Sequence, residues 1–431
     1  MAVARVNTHI SDNHLLPSYQ SAFRKGHSTE TAIAVVMNDI IRTIDRGEVC
    51  ALVLLDLSAA FDTIDHGILF EILNKRFGMQ HKVEEWVQSY FEGRTQICMV
   101  GIDVSDARVL KHGVPQGSVA GPSKFVCYTE DLQEVVTSFS VKYHLYADDT
   151  QLLARTILRD LDTCRHEMEI CVSTIHEWCS SRRLQLNSNK TELIWFGSST
   201  MLKQLQDLKT SIRVGDVDVK AVTSVRDLGV ILDCNLNMQS HISKVVSTCF
   251  FHLRRLRQLR QYLDRDIRQR LVSAIILSRI DYCNISLVGL PMSSLQPLQR
   301  VINAAARFVA NLKPRDHVSG VMRDLHWLPI RERITFKLCL LMHNIVHGSS
   351  APEYMTGMVT CISALPGRSH LRSAGRGLYD VPRVRTSFGS RAFSVAGPSA
   401  WNRLPNDVRE TKNVLAFKTK LKTHLFDIAY P

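Results

Sequence analysis

One segment constrains this chain more than any other: CALVLLDL, Cys50 to Leu57. A continuous apolar run of strand length predicts a central strand buried on both faces. It ends in Asp56, an acid that a central strand has no stability reason to carry. Val141 to Leu153 reads as two short strands that turn at Tyr146-Ala147-Asp148-Asp149, with both acids in the turn. Around these the pattern predicts a helix from Thr29, with Thr29 as its N-cap and Ile33, Val36, Ile40, Ile41 and Ile44 on one face. Further helices are expected over His66–Arg76, Val83–Phe91, Ser118–Val136 (with Pro122 in the first turn) and Leu158–Leu184. Thr95–Val100, Arg108–Val114 and Glu192–Phe196 read as strands. This order, crossover helices mixed with hairpins, predicts an α+β sheet with helices on one face. Residues 1 to 28 have no strong periodicity. From Asn237 the pattern turns helical, over Met238–Leu263, Asp266–Leu277, Leu295–Leu312 and Arg331–Val346. Residues 348 to 400 read as an irregular arm rich in Ser, Gly, Pro and Arg, followed by a last helix, Val414–Phe426.

Composition narrows the classes. With 431 residues, 45% apolar and 22% charged, the chain is globular and has room for two to four domains. No apolar run approaches the roughly 18 residues of a membrane span, and MAVARVNTHISDNHLL lacks the apolar centre of a secretion signal. Eleven scattered cysteines without a CxxC pair read as reduced thiols. A soluble intracellular protein is expected, with nucleus or cytoplasm left open because no clean basic import signal stands out. The formal net charge of +12 and pI near 9.2 suit a polyanionic partner, beside the plainer reading of a merely basic protein.

Each acid has an ordinary explanation, since aspartate caps helices and fills turns. Together they ask for more. Three acids on adjacent central strands raise one another's pKa unless a cation neutralises them. Hard divalent ions take carboxylate and phosphate oxygens, and a pair of them forms the clamp for in-line phosphoryl transfer. The acids therefore point to nucleotidyl transfer.

LVLLDLSAAFDTIDH (Leu52 to His66), HGVPQGS (His112 to Ser118), HLYADDTQLL (His144 to Leu153) and LQLNSNKTELIWF (Leu184 to Phe196) resemble reverse-transcriptase motifs A, B, C and D, in that order. With QSAFRKGHSTETA upstream and AFSVAGPSAWNRLP downstream, the chain is similar from about Leu15 to its end to non-LTR (LINE-type) retrotransposon polymerases of the jockey and chicken-repeat kind. The resemblance implies a right-hand polymerase: partial fingers over 1–48, a palm with motifs A to D over 49–235, a helical thumb over 236–347 and a basic C-terminal extension over 348–431. It implies that Asp56 and Asp148, with Asp149 beside them, ligate two Mg²⁺ ions, with Mn²⁺ as an alternative. Phe61 matches the steric gate that favours deoxynucleotides; a plain core aromatic is the other reading. Gln116 and Gly117 match the loop that approaches the template and nascent base pair. Lys190 matches the motif D lysine, a proton donor to departing pyrophosphate, or else a solvated lysine. The implied partners are an RNA template, a DNA primer and deoxynucleoside triphosphates, with no membrane; protein partners are not indicated.

HLRRLRQLRQYLDRDIRQR, His252 to Arg270, sets a leucine stripe against Arg254, Arg257, Arg265 and Arg268. Such a face is either solvated or, in a thumb, laid on duplex phosphates; basic residues from Arg368 to Arg391 would extend it. Set against relatives, an upstream fingers segment and an endonuclease are expected to be missing, as in a 5′-truncated copy. Ala120, Ser123 and Lys124 stand where relatives carry bulky apolar residues, which reads as decay. A polymerase and a catalytically impaired nucleic-acid-binding relic both fit.

Overall fold

The computed structural model describes residues 2–348, 351–366 and 377–431, and these divide into two compact units. The first comprises Met1–Lys25, Val49–Trp195 and Thr200–Val222; the second comprises Gly26–Glu48, Phe196–Ser199 and Thr223–Pro431.

The first unit is α+β. Its sheet has five strands, β1 (Val49–Leu55), β2 (Lys142–Tyr146), β3 (Asp149–Thr156), β4 (Glu192–Phe196) and β5 (Ala221–Val222), in the order β5-β4-β1-β3-β2. β1 pairs antiparallel with β3 and is buried along nearly its whole length, as its unbroken apolar run requires. Val49, Ala51, Val53 and Leu55 point to one face and share a core with Leu69, Ile72, Phe125, Tyr128, Met168 and Val172. Those residues come from helices His66–Lys75, Gly121–Tyr128 and Leu161–Ser181.

Two features of this unit depart from the sequence reading. The N-terminal stretch holds a helix, Ala2–Asp12. The single helix expected over Ser118–Val136 is two, Gly121–Tyr128 and Leu132–Thr137. The break has a tertiary cause. Buried Glu130 turns inward to pair with Arg76, and Asp131 takes Arg182 and the Trp178 indole N–H. Three ion-paired or hydrogen-bonded contacts with neighbouring helices outweigh local helix propensity. The strands expected near 95–114 form one hairpin, closed by Thr95–Gln96 on Arg108–Val109 and Met99–Val100 on Asp103–Val104.

The second unit is mostly helical. Its first helix, Thr29–Asp45, is capped by Ser28 rather than Thr29, because Ser28 and Thr31 exchange side-chain-to-backbone hydrogen bonds in a capping box. Helix Ile330–His347 packs against Met292–Ala310, Phe393–Asn402 and Val414–Ala429. Phe393–Asn402 lies in the stretch expected to be irregular. It is helical despite Gly397 and Pro398 and packs on helix Ile330–His347, where Gly397 lies so close to Met342 that an added Cβ would stand 2.9 Å from Sδ. A hairpin, Ser224–Asp227 with Val230–Asp233, leads into helix Gln239–Gln258, and both Asp233 oxygens cap its approach through the Asn237 and Met238 amides.

His241 on that helix is buried, and its Nδ1 accepts a hydrogen bond from the Ile231 amide at 3.3 Å. An accepting Nδ1 requires the neutral ring, and burial lowers the pKa to about 4. The unfolded chain binds this proton near 6.5 and the folded chain does not, so stability is full above pH 6.5 and falls as pH drops toward 4. The loss expected from this residue is on the order of 3 kcal/mol. His241→Asn, which keeps an acceptor, is expected to flatten that part of the profile in thermal melts between pH 4 and 7.

Candidate active site

β1 ends at Leu55, which lies opposite Thr150 of β3. One step further brings Asp56 beside Asp149. Tyr146 pairs with Asp149, so Ala147 and Asp148 form a two-residue hairpin loop. Ala147 has φ +55°, a left-handed conformation that costs an alanine about 1 kcal/mol or more and usually falls to glycine. The register alone therefore gathers three carboxylates at one end of the central strands.

Their electrostatics follow. Asp148 is half-buried, and loss of solvent, then the nearby Asp56 charge, holds its carboxyl above the usual range. Asp149 is exposed as a residue, yet desolvation of its carboxyl and the charges of Asp148 and Asp56 push it up to about 6. Lys190 reaches back toward Asp56, its Nζ 3.3 Å from Oδ2. The motif D segment is fixed there by three contacts: Leu57–Ser58 pairs with Gln185–Leu186, the Asn187 amide donates to the Asp56 carbonyl at 2.9 Å, and Asn187 Oδ1 accepts from the Lys190 amide. Asp56 Oδ2 is buried and has no hydrogen-bond partner.

That oxygen tests the fit of a metal ion. A buried carboxylate oxygen facing only a two-thirds exposed lysine suits a hard cation, as do two neighbouring carboxyls that repel each other. Among the described residues no three His, Cys, Asp or Glu side chains close into a ready metal cage. A cation held here would draw its remaining ligands from water or substrate oxygens, as Mg²⁺ commonly does.

The motif B loop is clamped to the segment after Asp56. The Gly113 amide donates to Ile64 O, the Val114 amide to Phe61 O, and the Gly113 carbonyl meets His66 Nε2 at 2.7 Å. Gly113 has φ +82°, and a Cβ there would lie 2.8 Å from the Asp62 carbonyl oxygen, so only glycine fits. Phe61 is half-buried and stacks on Phe125, ring centroids 4.5 Å apart. Exposed Gln116 donates to Asp62 Oδ1 at 2.9 Å. Gly117 is exposed, at φ +78°. Asp62 had no role in the sequence reading; its signal was a second acid six positions after Asp56.

The arginines belong to the second unit. Arg254, Arg257 and Arg265 are exposed. Arg268 is half-buried and committed to structure, with Nε on the Asp264 carbonyl and Nη1 on the Phe308 carbonyl. Of the basic stretch from Arg368 to Arg391, residues 368–376 lie outside the described residues, and Arg391 is half-buried and bonded to the Val288 and Leu236 carbonyls. It is not part of an exposed track.

Residues 1–232 match the family described as Reverse transcriptase (RNA-dependent DNA polymerase), more than half of the chain. The chain belongs to the reverse transcriptase family. Among mobile-element polymerases it is 27% identical, over 77% of its length, to the probable RNA-directed DNA polymerase from transposon BS of Drosophila melanogaster, covering 36% of that protein. It is 24% identical, over 56% of its length, to the RNA-directed DNA polymerase from mobile element jockey of Drosophila funebris, covering 26% of that protein. The chain thus spans about a third or less of these curated relatives. A structure of telomerase from Candida albicans with a fragment of telomeric RNA aligns over 78% of this chain and 56% of its own, at 11% identity and a TM-score of 0.37. The family generally works with divalent metal ions. No helix among the described residues is long and apolar enough to cross a membrane.

Proposed function

We propose that this chain carries the RNA-directed DNA polymerase of a non-LTR retrotransposon, extending a DNA primer on an RNA template with deoxynucleoside triphosphates. The observation behind the reading is the set of three carboxylates, Asp56, Asp148 and Asp149, gathered at one end of neighbouring strands, with Asp56 Oδ2 buried and ion-paired only to the exposed Lys190. These three would hold two Mg²⁺ ions, or Mn²⁺ in their place. Bound there, the ions would activate the primer 3′-hydroxyl and steady the leaving pyrophosphate.

The chain's own residues supply the rest. Phe61, stiffened by its stack on Phe125, would crowd a 2′-hydroxyl on the incoming sugar. Gln116 and Gly117 would present an exposed loop to the template and nascent pair, with Gln116 set by Asp62. Lys190 would carry a proton to pyrophosphate once drawn from Asp56 by the substrate's charge. The proposed division is fingers over 1–48, palm over 49–235, thumb over 236–347 and extension over 348–431.

Mg²⁺-dependent extension of a DNA primer on RNA, absent in Asp148→Ala, is the deciding experiment. Duplex binding without any extension in a folded protein would remove the enzyme reading and leave a nucleic-acid-binding relic. The unpartnered ammonium of buried Lys124 on the motif B helix favours that second reading.

Binding itself separates the arginines. Replacing Arg254, Arg257 and Arg265 by alanine is expected to lower the salt slope of duplex affinity by about one for each phosphate that is no longer neutralised. Arg268→Ala is expected to leave the slope near its starting value and lower the melting temperature, because the Phe308 carbonyl loses its donor. Fluorescence anisotropy across a salt series, beside thermal melts, checks both.

A further inference from the structure

The acid turn is hydrogen-bonded from outside the hairpin. Residues Tyr19 to Ser21 run beside β2: the Leu145 amide donates to the Tyr19 carbonyl and the Ser21 amide to the Leu145 carbonyl, both at 2.9 Å. The side chain of Ser21 meets His144 Nε2 at 2.8 Å, inside the core. Between them Gln20 is buried, 1% exposed, and its Oε1 accepts two backbone N–H groups, from Ala22 at 2.9 Å and from Ala147 at 3.2 Å. Arg24 locks the same segment by donating to the Pro17 and Gln20 carbonyls.

Ala147 is the residue at φ +55° and the immediate neighbour of Asp148. A non-glycine residue stays in that conformation only where its surroundings over-determine it. The amide of half-buried Ala147 donates to Oε1 of buried Gln20. Asp148 inherits its direction from this turn, since one peptide separates the two.

We propose that Gln20 is a positioning residue for the polymerase site: its amide oxygen holds the Ala147 peptide in the left-handed turn that aims Asp148 at the reacting centre. The proposal rests on the polymerase reading above for its catalytic consequence and on geometry alone for the turn. Gln20 touches no reacting atom. Its effect passes through one hydrogen bond and one backbone torsion.

Two measurements on the full chain test it. Amide hydrogen exchange of the unaltered protein reads the turn without reference to activity: the Ala147 amide is expected to be protected at least tenfold, and exchange at the rate of a free amide overturns the proposal. In the Gln20→Met variant, similar in volume but without an acceptor, that protection is expected to fall to near unity. The same variant is expected to lower kcat for nucleotide addition 10- to 100-fold, with KM for primer–template and nucleotide within about threefold. Ala147→Gly added to Gln20→Met is expected to recover at least half of the lost kcat on a logarithmic scale, because glycine adopts positive φ without support. A merely structural glutamine predicts no rescue by glycine, and that result overturns the proposal. If the unaltered chain adds no nucleotide, the polymerase reading fails by itself, and Ala147 protection still decides the role of Gln20 in the turn. If Gln20→Met does not fold, exchange in the unaltered protein remains decisive.

Discussion

Lys124→Leu is expected to raise the stability of the α+β unit by about 2–4 kcal/mol, an uncommon direction for a core substitution. Lys124 sits in helix Gly121–Tyr128 with 2% of its surface exposed, and its Nζ has no hydrogen-bond partner. Burial lowers its pKa from the ordinary lysine value, and the only counterweight is the thiol of Cys127. That thiol is itself pushed up to about 12 by burial, so it offers no negative charge at neutral pH. Folding must therefore either strip a proton from this lysine or bury its charge, and both cost free energy. The sign follows from proton binding. The unfolded chain keeps the proton up to about pH 10.5 and the folded chain releases it earlier, so stability climbs as pH rises toward 10.5. Leucine removes the penalty and keeps the apolar stem's contacts. Urea denaturation at pH 7 reads the gain, and the slope of stability against pH between 8 and 10 is expected to flatten in the variant. A loss of more than about 1 kcal/mol in Lys124→Leu would mean that the ammonium has a partner in solution.

Asp148→Asn is expected to move activity and stability in opposite directions. On the proposed role of Asp148 as a cation ligand, its removal is expected to cost about 10²- to 10³-fold in nucleotide addition, the scale of losing one strong transition-state contact. The same change relieves repulsion in the metal-free protein, where the Asp148 charge opposes ionisation of Asp149. The expected gain is on the order of 1 kcal/mol at pH 7, kept small because Asp149 is an exposed residue and water screens part of the repulsion. Adding Mg²⁺ is expected to stabilise the unaltered protein by linkage and to leave the variant nearly unmoved. Thermal melts with and without Mg²⁺, beside primer extension, read all three effects. Equal stabilisation of both proteins by Mg²⁺ would place the cation elsewhere.

The contrast between these residues shows what a pattern can carry. Asp56, Asp148 and Asp149 were legible because each interrupts an apolar strand pattern with a charge, and strand periodicity already brings such positions to one edge. Lys190 and Gln116 were legible only through the resemblance; their partners, Asp56 and Asp62, belong to distant segments. Arg268 looked like its neighbours in the sequence and differs from them because the Phe308 carbonyl, 40 positions away, claims its guanidinium. Gln20 entered only as the first residue of QSAFRKGHSTETA, with no role attached to it. Its partner amide is 127 positions distant, in a turn whose strain is visible only as a backbone torsion.

By itself, then, the sequence determined the buried central strand, the acid-bearing hairpin and the helical character of the second half, since each follows from local apolar periodicity. Tertiary structure decided the rest: the break at Thr129, forced by Arg76 and Arg182; the helix over Phe393–Asn402, packed on helix Ile330–His347; and the left-handed Ala147, propped by Gln20. In each case the deciding energy comes from a contact between residues far apart in the chain, and a local pattern holds no record of such a contact.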